Sequence, residues 1–321
     1  MFGMILKFQA LMEKLKQNKR LWFTTLTVVS LLGVMGTLSY LNSTTAKAAK
    51  NLYEATNTNY FQDLDFKLTH SLEKIAILGT ALSSNQNFMA VMNNPNNTAA
   101  VNEQLKKYAA EASSVGKNEI IIELYDLSGV KAGSPLENFT PTQEVSDSKA
   151  LRQAIAKNEF TSTIEYQQGN VYLATYFPFG NGVLETKQAI DFLVDEYAQG
   201  DKIFQVLLDK DFLDMKKLQN YSFKKIGKSQ ISVQEKVDED FLTHIAEMDF
   251  EKLIEEKYHL SDESFIMARP IMDVDNKRIG IILISENILK EDSLPNMTRS
   301  ISTGITTAAL GLVVSLLVLM I

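Results

Sequence analysis

Residues 264–285 read SFIMARPIMDVDNKRIGIILIS, a stretch whose two halves have the composition of paired β-strands. Apolar residues dominate Ser264–Met272 and Arg278–Ser285, and the polar segment DVDN, Asp273–Asn276, lies between them. This pattern predicts an antiparallel hairpin closed by a short turn. The turn also resembles the start of a calcium-binding loop, but Arg278 stands where that loop requires glycine, and isoleucines replace its final glutamate. A hairpin turn is therefore the favoured interpretation.

Upstream of this hairpin, the chain alternates between short strands and short helices. The predicted elements are a strand at Glu119–Tyr125 returning from Val130, a helix from Ser146 or Asp147 to Lys157, a hairpin of Thr161–Gln167 and Asn170–Pro178, a helix from Gly182 to Tyr197, a strand at Ile203–Leu208, a helix at Lys210–Leu218, an edge strand at Ile231–Val233, and one or two helices within Asp238–Glu256. This order predicts an α+β fold in which helices pack on one mainly antiparallel central sheet.

A long helix is predicted before the strands. Residues 42–92 contain no proline, and apolar residues recur every three or four positions from Phe61 to Leu82. That spacing places them in one stripe along an α-helix. The segment Asn93–Pro95 ends this helix, and a second helix is predicted at Ala99–Ala112.

Two runs of 21 residues without any charged side chain lie near the two ends of the chain, at Leu21–Leu41 and Ile301–Ile321. Each matches the ~20 residues that cross a bilayer as a helix. Residues 1–20 carry five bases and one acid, so the positive-inside rule places them in the cytoplasm. The sequence thus predicts a cytoplasmic tail at 1–20, spans at 21–41 and 298–321, and an extracytoplasmic α+β domain at 42–297, with any output domain absent from this chain.

The charge balance excludes some partners of the central domain. The chain has 32 Lys and Arg against 39 Asp and Glu, and removing the tail leaves 32 − 5 = 27 bases and 39 − 1 = 38 acids. The resulting charge of −11 repels phosphate, so no nucleic acid partner is expected. Cysteine is absent, so the domain must be held together by its core. A segment of this length suffices for one large or two small domains.

Three segments together resemble a Cache sensor domain, the extracytoplasmic relative of the PAS fold. They are YDLSGV at residues 125–130, the segment GVLETKQAIDFLVDEYAQGDKIFQVLLDKDFL at 182–213, and DFEKLIEEKYHLSDESFIMARPIMDVDNKRIGIILIS at 249–285. The last is the most specific and is similar to the third double-Cache family. The resemblance implies the sensory region of a bacterial receptor in the inner (plasma) membrane. Such receptors are most often methyl-accepting chemotaxis proteins, and otherwise sensor histidine kinases or diguanylate cyclases.

The resemblance also implies a small-molecule site against one face of the sheet, under a covering loop and helix. In this chain that region lies between Tyr125 and Lys187. Tyrosines there could form an apolar wall with a hydrogen-bonding rim, and a cation could pair with a carboxylate ligand. The predicted ligand-binding residues are Tyr125, Arg152, Glu165, Tyr166, Tyr172, Tyr176 and Lys187. The alternative is that the tyrosines serve packing alone, because strands favour them.

The sequence contains no pattern typical of catalysis. His70, His244 and His259 are isolated and lack metal-ligand spacing, and no phosphate loop or nucleophile elbow occurs. We therefore expect no enzyme activity, no cofactor and no metal. Two functions stay open: a ligand-sensing receptor that forms a homodimer through its long helices, or a membrane-tethered scaffold that binds another protein.

Overall fold

The computed structural model describes residues 13, 19–93, 97–116, 119–135, 145–167, 169–212, 223–227, 230–234, 237–261, 263–288, 303–304, 306–308 and 310–311. The chain divides into two compact units, and Asn57–Asn287 forms the one that contains the sheets. Most of the predicted tail at 1–20 and of the predicted span at 298–321 lies outside the described residues. Among the residues that are described, no helix is long and apolar enough to cross a bilayer.

The predicted long helix is present as α1, Lys19–Ser84. It ends earlier than predicted because Asn85 adopts an extended conformation and its side chain accepts hydrogen bonds from the amides of Asn87 and Phe88, which starts a new helix. This helix is α2, Gln86–Met92, and it is followed by α3, Thr98–Gly116. The structure thus divides the predicted 42–92 helix at Asn85.

The first sheet contains five antiparallel strands in the order β2-β1-β5-β4-β3. The strands are β1 Ile120–Asp126, β2 Lys131–Gly133, β3 Thr161–Gln167, β4 Asn170–Phe179 and β5 Gly182–Ala189. Helix α4, Lys149–Lys157, packs on one face of this sheet. It matches the predicted helix that ends at Lys157, but its N-cap is Ser148 rather than the predicted Ser146 or Asp147.

The predicted helix from Gly182 is wrong in its first half, which forms the central strand β5. This strand pairs with β1 on one side and β4 on the other, and seven of its eight residues are buried. A strand that is covered on both faces lacks the alternation of exposed and buried residues by which strands are recognised. Without that signal, the polar residues of GVLETKQA were interpreted as the exposed surface of a helix. Only the second half is helical, as α5, Phe192–Ala198.

The prediction of a single central sheet is also wrong, because the strands after α5 form a second, six-stranded sheet. Its order is β7-β8-β6-β11-β10-β9. The strands are β6 Lys202–Asp209, β7 Lys224–Ile226, β8 Gln230–Ser232, β9 Tyr258–Leu260, β10 Ser264–Met272 and β11 Arg278–Asn287. The predicted late hairpin is β10 and β11, closed at Asp273–Asn276. The predicted 210–218 helix is a 3-10 turn at Lys210–Phe212, and its remainder lies outside the described residues.

Two short helices, α6 Glu239–Ile245 and α7 Phe250–Glu256, cover one face of the second sheet. Asp238 and Asp249 cap them through their side chains, as acids at helix starts commonly do. The apolar side chains of both helices join those of β6, β10 and β11 in one buried core. The structure therefore confirms an α+β fold with a long N-terminal helix and antiparallel sheets.

Helix α1 packs against both sheets. Its Tyr60 ring meets the ring of Phe265 from the second sheet, with centroids 6.0 Å apart. Further along, the carbonyl of Ile75 accepts a hydrogen bond of 2.9 Å from the Thr186 hydroxyl of the first sheet. At Gly79 the helix approaches so closely that an added Cβ would lie 2.0 Å from the ring of Phe177. Residues 57–84 of α1 thus form a common support for the two sheets.

Candidate functional site

Polar side chains from all five strands of the first sheet meet on the face that α4 covers. Alternate strand residues share a face, and the register brings Glu123 opposite Glu185, Glu185 opposite Tyr176, and Tyr172 opposite Glu165. Ser148, the N-cap of α4, lies above them. We refer to the following residues as the polar cluster: Glu123, Tyr125, Lys131, Ser148, Glu165, Gln167, Tyr172, Tyr176, Glu185 and Lys187.

Lys187 is the cation at the centre of the polar cluster. Its ammonium donates hydrogen bonds of 2.6 Å to Glu123, 2.7 Å to the Gln167 side-chain oxygen and 3.1 Å to Glu185. It also lies 5.3 Å from the centroid of the Tyr172 ring. The lysine and both carboxylates are at most 1% exposed. Because an isolated buried charge is very costly, this ion triad depends on all three groups being present.

A second group of contacts surrounds Glu165. One of its oxygens accepts hydrogen bonds from the Tyr176 hydroxyl and, at 2.8 Å, from the Gln167 amide. The other oxygen accepts a hydrogen bond of 2.8 Å from the Ser148 hydroxyl. Tyr176 and Gln167 also reach Glu185, both at 2.9 Å. Glu165 is therefore connected to the ion triad through shared donors and to helix α4 through Ser148.

The cluster holds its carboxyl groups at different pKa values. Burial opposes ionisation of Glu123, but Lys187 and Lys131 outweigh it and lower the pKa to about 2. For Glu165, burial and the charge of Glu185 raise the pKa to about 7, against the effect of Tyr176 and Ser148. The pKa of Lys187 is raised despite its burial, because Glu185 and Glu123 stabilise its charged form. Glu165 therefore exchanges its proton near neutral pH, whereas Glu123 stays ionised.

The cluster has a buried floor and a more accessible rim. The floor consists of Glu123, Tyr125, Tyr176, Glu185 and Lys187, all at most 3% exposed. Glu165, Gln167 and Tyr172 are only partly buried, and so is Lys131, which binds Glu123 at 2.7 Å. A small molecule that approached this face would therefore meet the rim first, with the charged floor beneath it.

Two features of the floor are unfavourable for folding alone. Glu123 and Glu185 are directly opposite each other in register, an arrangement in which like charges destabilise a strand pair. Buried ion networks are also often no more stabilising than apolar residues of similar volume. Local rules of this kind are broken mainly at functional sites. The gain in stability alone therefore does not account for this arrangement.

The structure brings five of the seven predicted site residues together: Tyr125, Glu165, Tyr172, Tyr176 and Lys187. Tyr166 follows Glu165 in β3, and its side chain therefore belongs to the opposite face of the sheet. Arg152 lies on the exposed side of α4, where it donates a hydrogen bond to the carbonyl of Asp147. That any of these residues contacts a ligand stays a prediction.

Sequence reasoning missed several members of the cluster. These are Glu123, Lys131, Ser148, Gln167 and Glu185. Glu123 precedes Tyr125 by two residues in a predicted strand, so alternation alone would have placed both on one face. Glu185 was not predicted because its segment was interpreted as a helix, which gives no reason to pair it with Glu123 or Tyr176.

Metal binding finds no support in the described part of the chain, where no three acidic or histidine side chains are grouped to hold an ion. The turn that resembles a calcium loop is closed by its own backbone. One Asp273 oxygen accepts hydrogen bonds from the amides of Asp275 and Lys277, at 2.9 and 2.8 Å. The other binds the Lys149 ammonium at 2.8 Å. The hairpin interpretation of this segment is thus confirmed.

No family model matches the chain, and neither does any curated protein. Solved structures do match, among them the extracellular domain of vpHK1S-Z8, which is classed provisionally as a histidine kinase. The two are 14% identical, with a TM-score of 0.41, covering 72% of this chain and 93% of that one. The ligand-binding domain of the amino acid chemoreceptor PctC from Pseudomonas aeruginosa PAO1, in complex with GABA, is 12% identical. Its TM-score is 0.34, covering 78% and 99%.

The sensor domain of DcuS from E. coli also matches, at 10% identity and a TM-score of 0.31, covering 39% of this chain and 91% of that one. These neighbours are sensor or ligand-binding domains. With TM-scores below 0.5, they share only a general likeness with this chain.

Proposed function

We propose that this chain is the sensory region of a bacterial transmembrane receptor, and that it binds a small molecule at the polar cluster. The observation that supports this most is a charged, fully buried floor beneath a partly exposed rim, with helix α4 beside it. Ligand sites orient a molecule through a few polar groups, and in this rim the ring of Tyr172 would supply the apolar contact. The domain senses rather than catalyses, and it works without a metal or cofactor.

We further propose that the domain belongs to the third double-Cache family. The three quoted segments support this assignment, and the late hairpin at 264–285 is the most specific of them. Receptors with such a domain are most often methyl-accepting chemotaxis proteins, and we propose this class for the present chain. The alternatives are the sensory regions of a histidine kinase and of a diguanylate cyclase, which would share this outer domain and differ in the output domain.

The proposed topology has two membrane spans, at 21–41 and 298–321, in the inner (plasma) membrane. Its support is the two uncharged runs and the basic tail at 1–20, which favours a periplasmic or extracellular position for residues 42–297. Because the chain has no cysteine, a single Glu73→Cys variant offers one defined label at an exposed position. In intact cells an impermeant maleimide should label it. Labelling only after lysis would contradict this topology.

We also propose that the receptor is a homodimer through α1. Phe66 and Ile77 are both 70% exposed, and at a spacing of 11 residues they lie on the same side of the helix. His70 stacks on Phe66 between them, with ring centroids 5.9 Å apart. Large apolar side chains that recur on one exposed helix face commonly mark a protein contact. A second copy of the same helix would cover this face.

A thermal-shift screen of the purified chain tests the binding proposal. The compounds are amino acids, organic acids, amines and purines. A ligand at 100 times its dissociation constant stabilises the folded state by roughly 2.7 kcal/mol. For each compound that raises Tm, Tyr172→Ala and Gln167→Ala should abolish the shift, because both residues form the rim. Arg152→Ala tests the remaining predicted contact. If both rim variants kept the full shift, the ligand would bind elsewhere.

A further inference from the structure

Helix α4 connects the polar cluster of the first sheet to the β10–β11 turn of the second sheet. On one side, Ser148 at its N-terminus donates a hydrogen bond of 2.8 Å to Glu165 and lies 3.1 Å from the Tyr176 hydroxyl. The same hydroxyl accepts a hydrogen bond from the amide of Leu151 and so caps the helix. The start of α4 is therefore fixed directly to the rim of the cluster.

On its other side, α4 binds the turn. The Lys149 ammonium lies 2.8 Å from an Asp273 carboxylate oxygen and 3.0 Å from an Asp275 oxygen. One helical turn later, the Gln153 amide donates a hydrogen bond of 2.9 Å to Asp275. Lys149 and Gln153 are four residues apart and so share one face of the helix. Val274 of the same turn packs against the buried core of the first sheet.

The turn is held in one conformation by its own hydrogen bonds. Asp273 accepts hydrogen bonds from the amides of Asp275 and Lys277, and the amide of Asn276 bonds to the Asp273 carbonyl. Asn276 adopts the left-handed conformation that such a turn needs, with φ of 58°. The side chain of Asp273 is only 7% exposed. A displacement of α4 would therefore move the turn as a body rather than be absorbed by loose side chains.

We propose that Lys149, Gln153 and the turn Asp273–Asn276 form a latch that transmits the state of the polar cluster to the second sheet. The turn is continuous with β11, which pairs with both β10 and β6 and ends at Asn287. Among the residues that the structure describes, β11 is the last strand before the apolar run at 301–321. A ligand that moves Ser148 or Glu165 shifts α4, and the latch carries this shift to β11.

The latch rests on the proposed function for its biological purpose, but its test needs no ligand. Hydrogen exchange is measured in the full chain at the amides of Asp275 and Lys277, which bond to Asp273. Lys149→Met should accelerate their exchange about three- to fivefold, the effect of losing a partly exposed ion pair. Lys157→Met is the matched control, because Lys157 is an exposed lysine of the same helix. This control should leave the exchange unchanged.

The decisive comparison combines two variants. Glu165→Ala removes the acceptor of Ser148 and should accelerate exchange at the turn in the wild-type background, but add little in the Lys149→Met background. Equal effects of Glu165→Ala in both backgrounds, or none in either, would overturn the latch. If Glu165→Ala does not fold, Glu165→Leu replaces it, because leucine also lacks the acceptor of Ser148 but keeps more of the side-chain volume. A screen without hits would reject the small-molecule proposal and leave this result intact.

Discussion

Glu165 offers a direct test of the electrostatics of the polar cluster through the variant Glu165→Gln. Burial and the charge of Glu185 raise its pKa from 4.5 to about 7. The folded state therefore binds this proton more tightly than the unfolded state. Its contribution to stability is fully present below pH 4.5 and is lost as the pH rises through about 7. Glutamine has nearly the same shape and does not titrate, so the variant should lack this pH dependence.

The magnitude follows from the size of the shift. Each pKa unit corresponds to about 1.4 kcal/mol, so a shift from 4.5 to about 7 gives at most roughly 3 kcal/mol between pH 4.5 and pH 8. For a domain of this size, 1 kcal/mol changes Tm by about 2–4 °C. At pH 8, Glu165→Gln should therefore melt several degrees above the wild type, whereas at pH 5 the two should nearly coincide.

Thermal unfolding followed by circular dichroism from pH 5 to pH 8 provides the measurement. Glu123 does not interfere, because its pKa is lowered to about 2 and its contribution is lost only as the pH falls below 4.5. Glu73→Gln, at an exposed position of α1, is the control and should follow the wild type. A Tm difference between Glu165→Gln and wild type that is constant from pH 5 to pH 8 would show that the pKa of Glu165 is not raised in the folded state.

Three further substitutions test the packing and the proposed assembly. Lys187→Met should lower the free energy of unfolding by roughly 3–5 kcal/mol in chemical denaturation, because it removes the buried cation that Glu185 and Glu123 share. Gly79→Ala should cost about 1–3 kcal/mol in the same assay, since the added methyl overlaps the ring of Phe177. Phe66→Glu combined with Ile77→Glu should convert the proposed dimer to a monomer in analytical ultracentrifugation, because it places charges on the exposed apolar face of α1.

Each of these substitutions has a matched control. Adding Glu185→Gln to Lys187→Met should restore part of the lost stability, because it removes one uncompensated charge. Gly36→Ala lies in the same helix as Gly79 but has open space around its Cβ position, so it should not destabilise the protein. Ala110→Glu, on the exposed side of α3, should leave the oligomeric state unchanged. The opposite result in any control would show that the main effect has another cause.

The fold was predictable where the chain alternates or repeats clearly. The β10–β11 hairpin, the β3–β4 hairpin and the long helix follow from periodicity and turn residues in the sequence. Strand β5 was not predictable in this way, because burial on both faces removes the alternation that identifies a strand. The division into two sheets depends on the pairing of β5 and β6 with strands distant in sequence, which local patterns do not encode.

The site was predictable only where its residues lie within one strand. Tyr172 and Tyr176 could be placed on one face because they lie four residues apart, an even number, within one predicted strand. The contact of Lys187 with Glu123 depends on the register between β5 and β1, and 64 residues separate the two in sequence. Arg152 was chosen for its charge, but the helix surface on which it lies faces away from the cluster.

Binding of a small molecule at the polar cluster, on the α4 face of the first sheet, is the proposal on which the sensory function depends. Hydrogen exchange of the full chain, with and without the screened compound that gives the largest thermal shift, tests it most directly. Protection should increase in α4 and in strands β3 to β5 of the polar cluster, at residues 148–157 and 161–189. Protection confined to the second sheet, at residues 202–287, would contradict it.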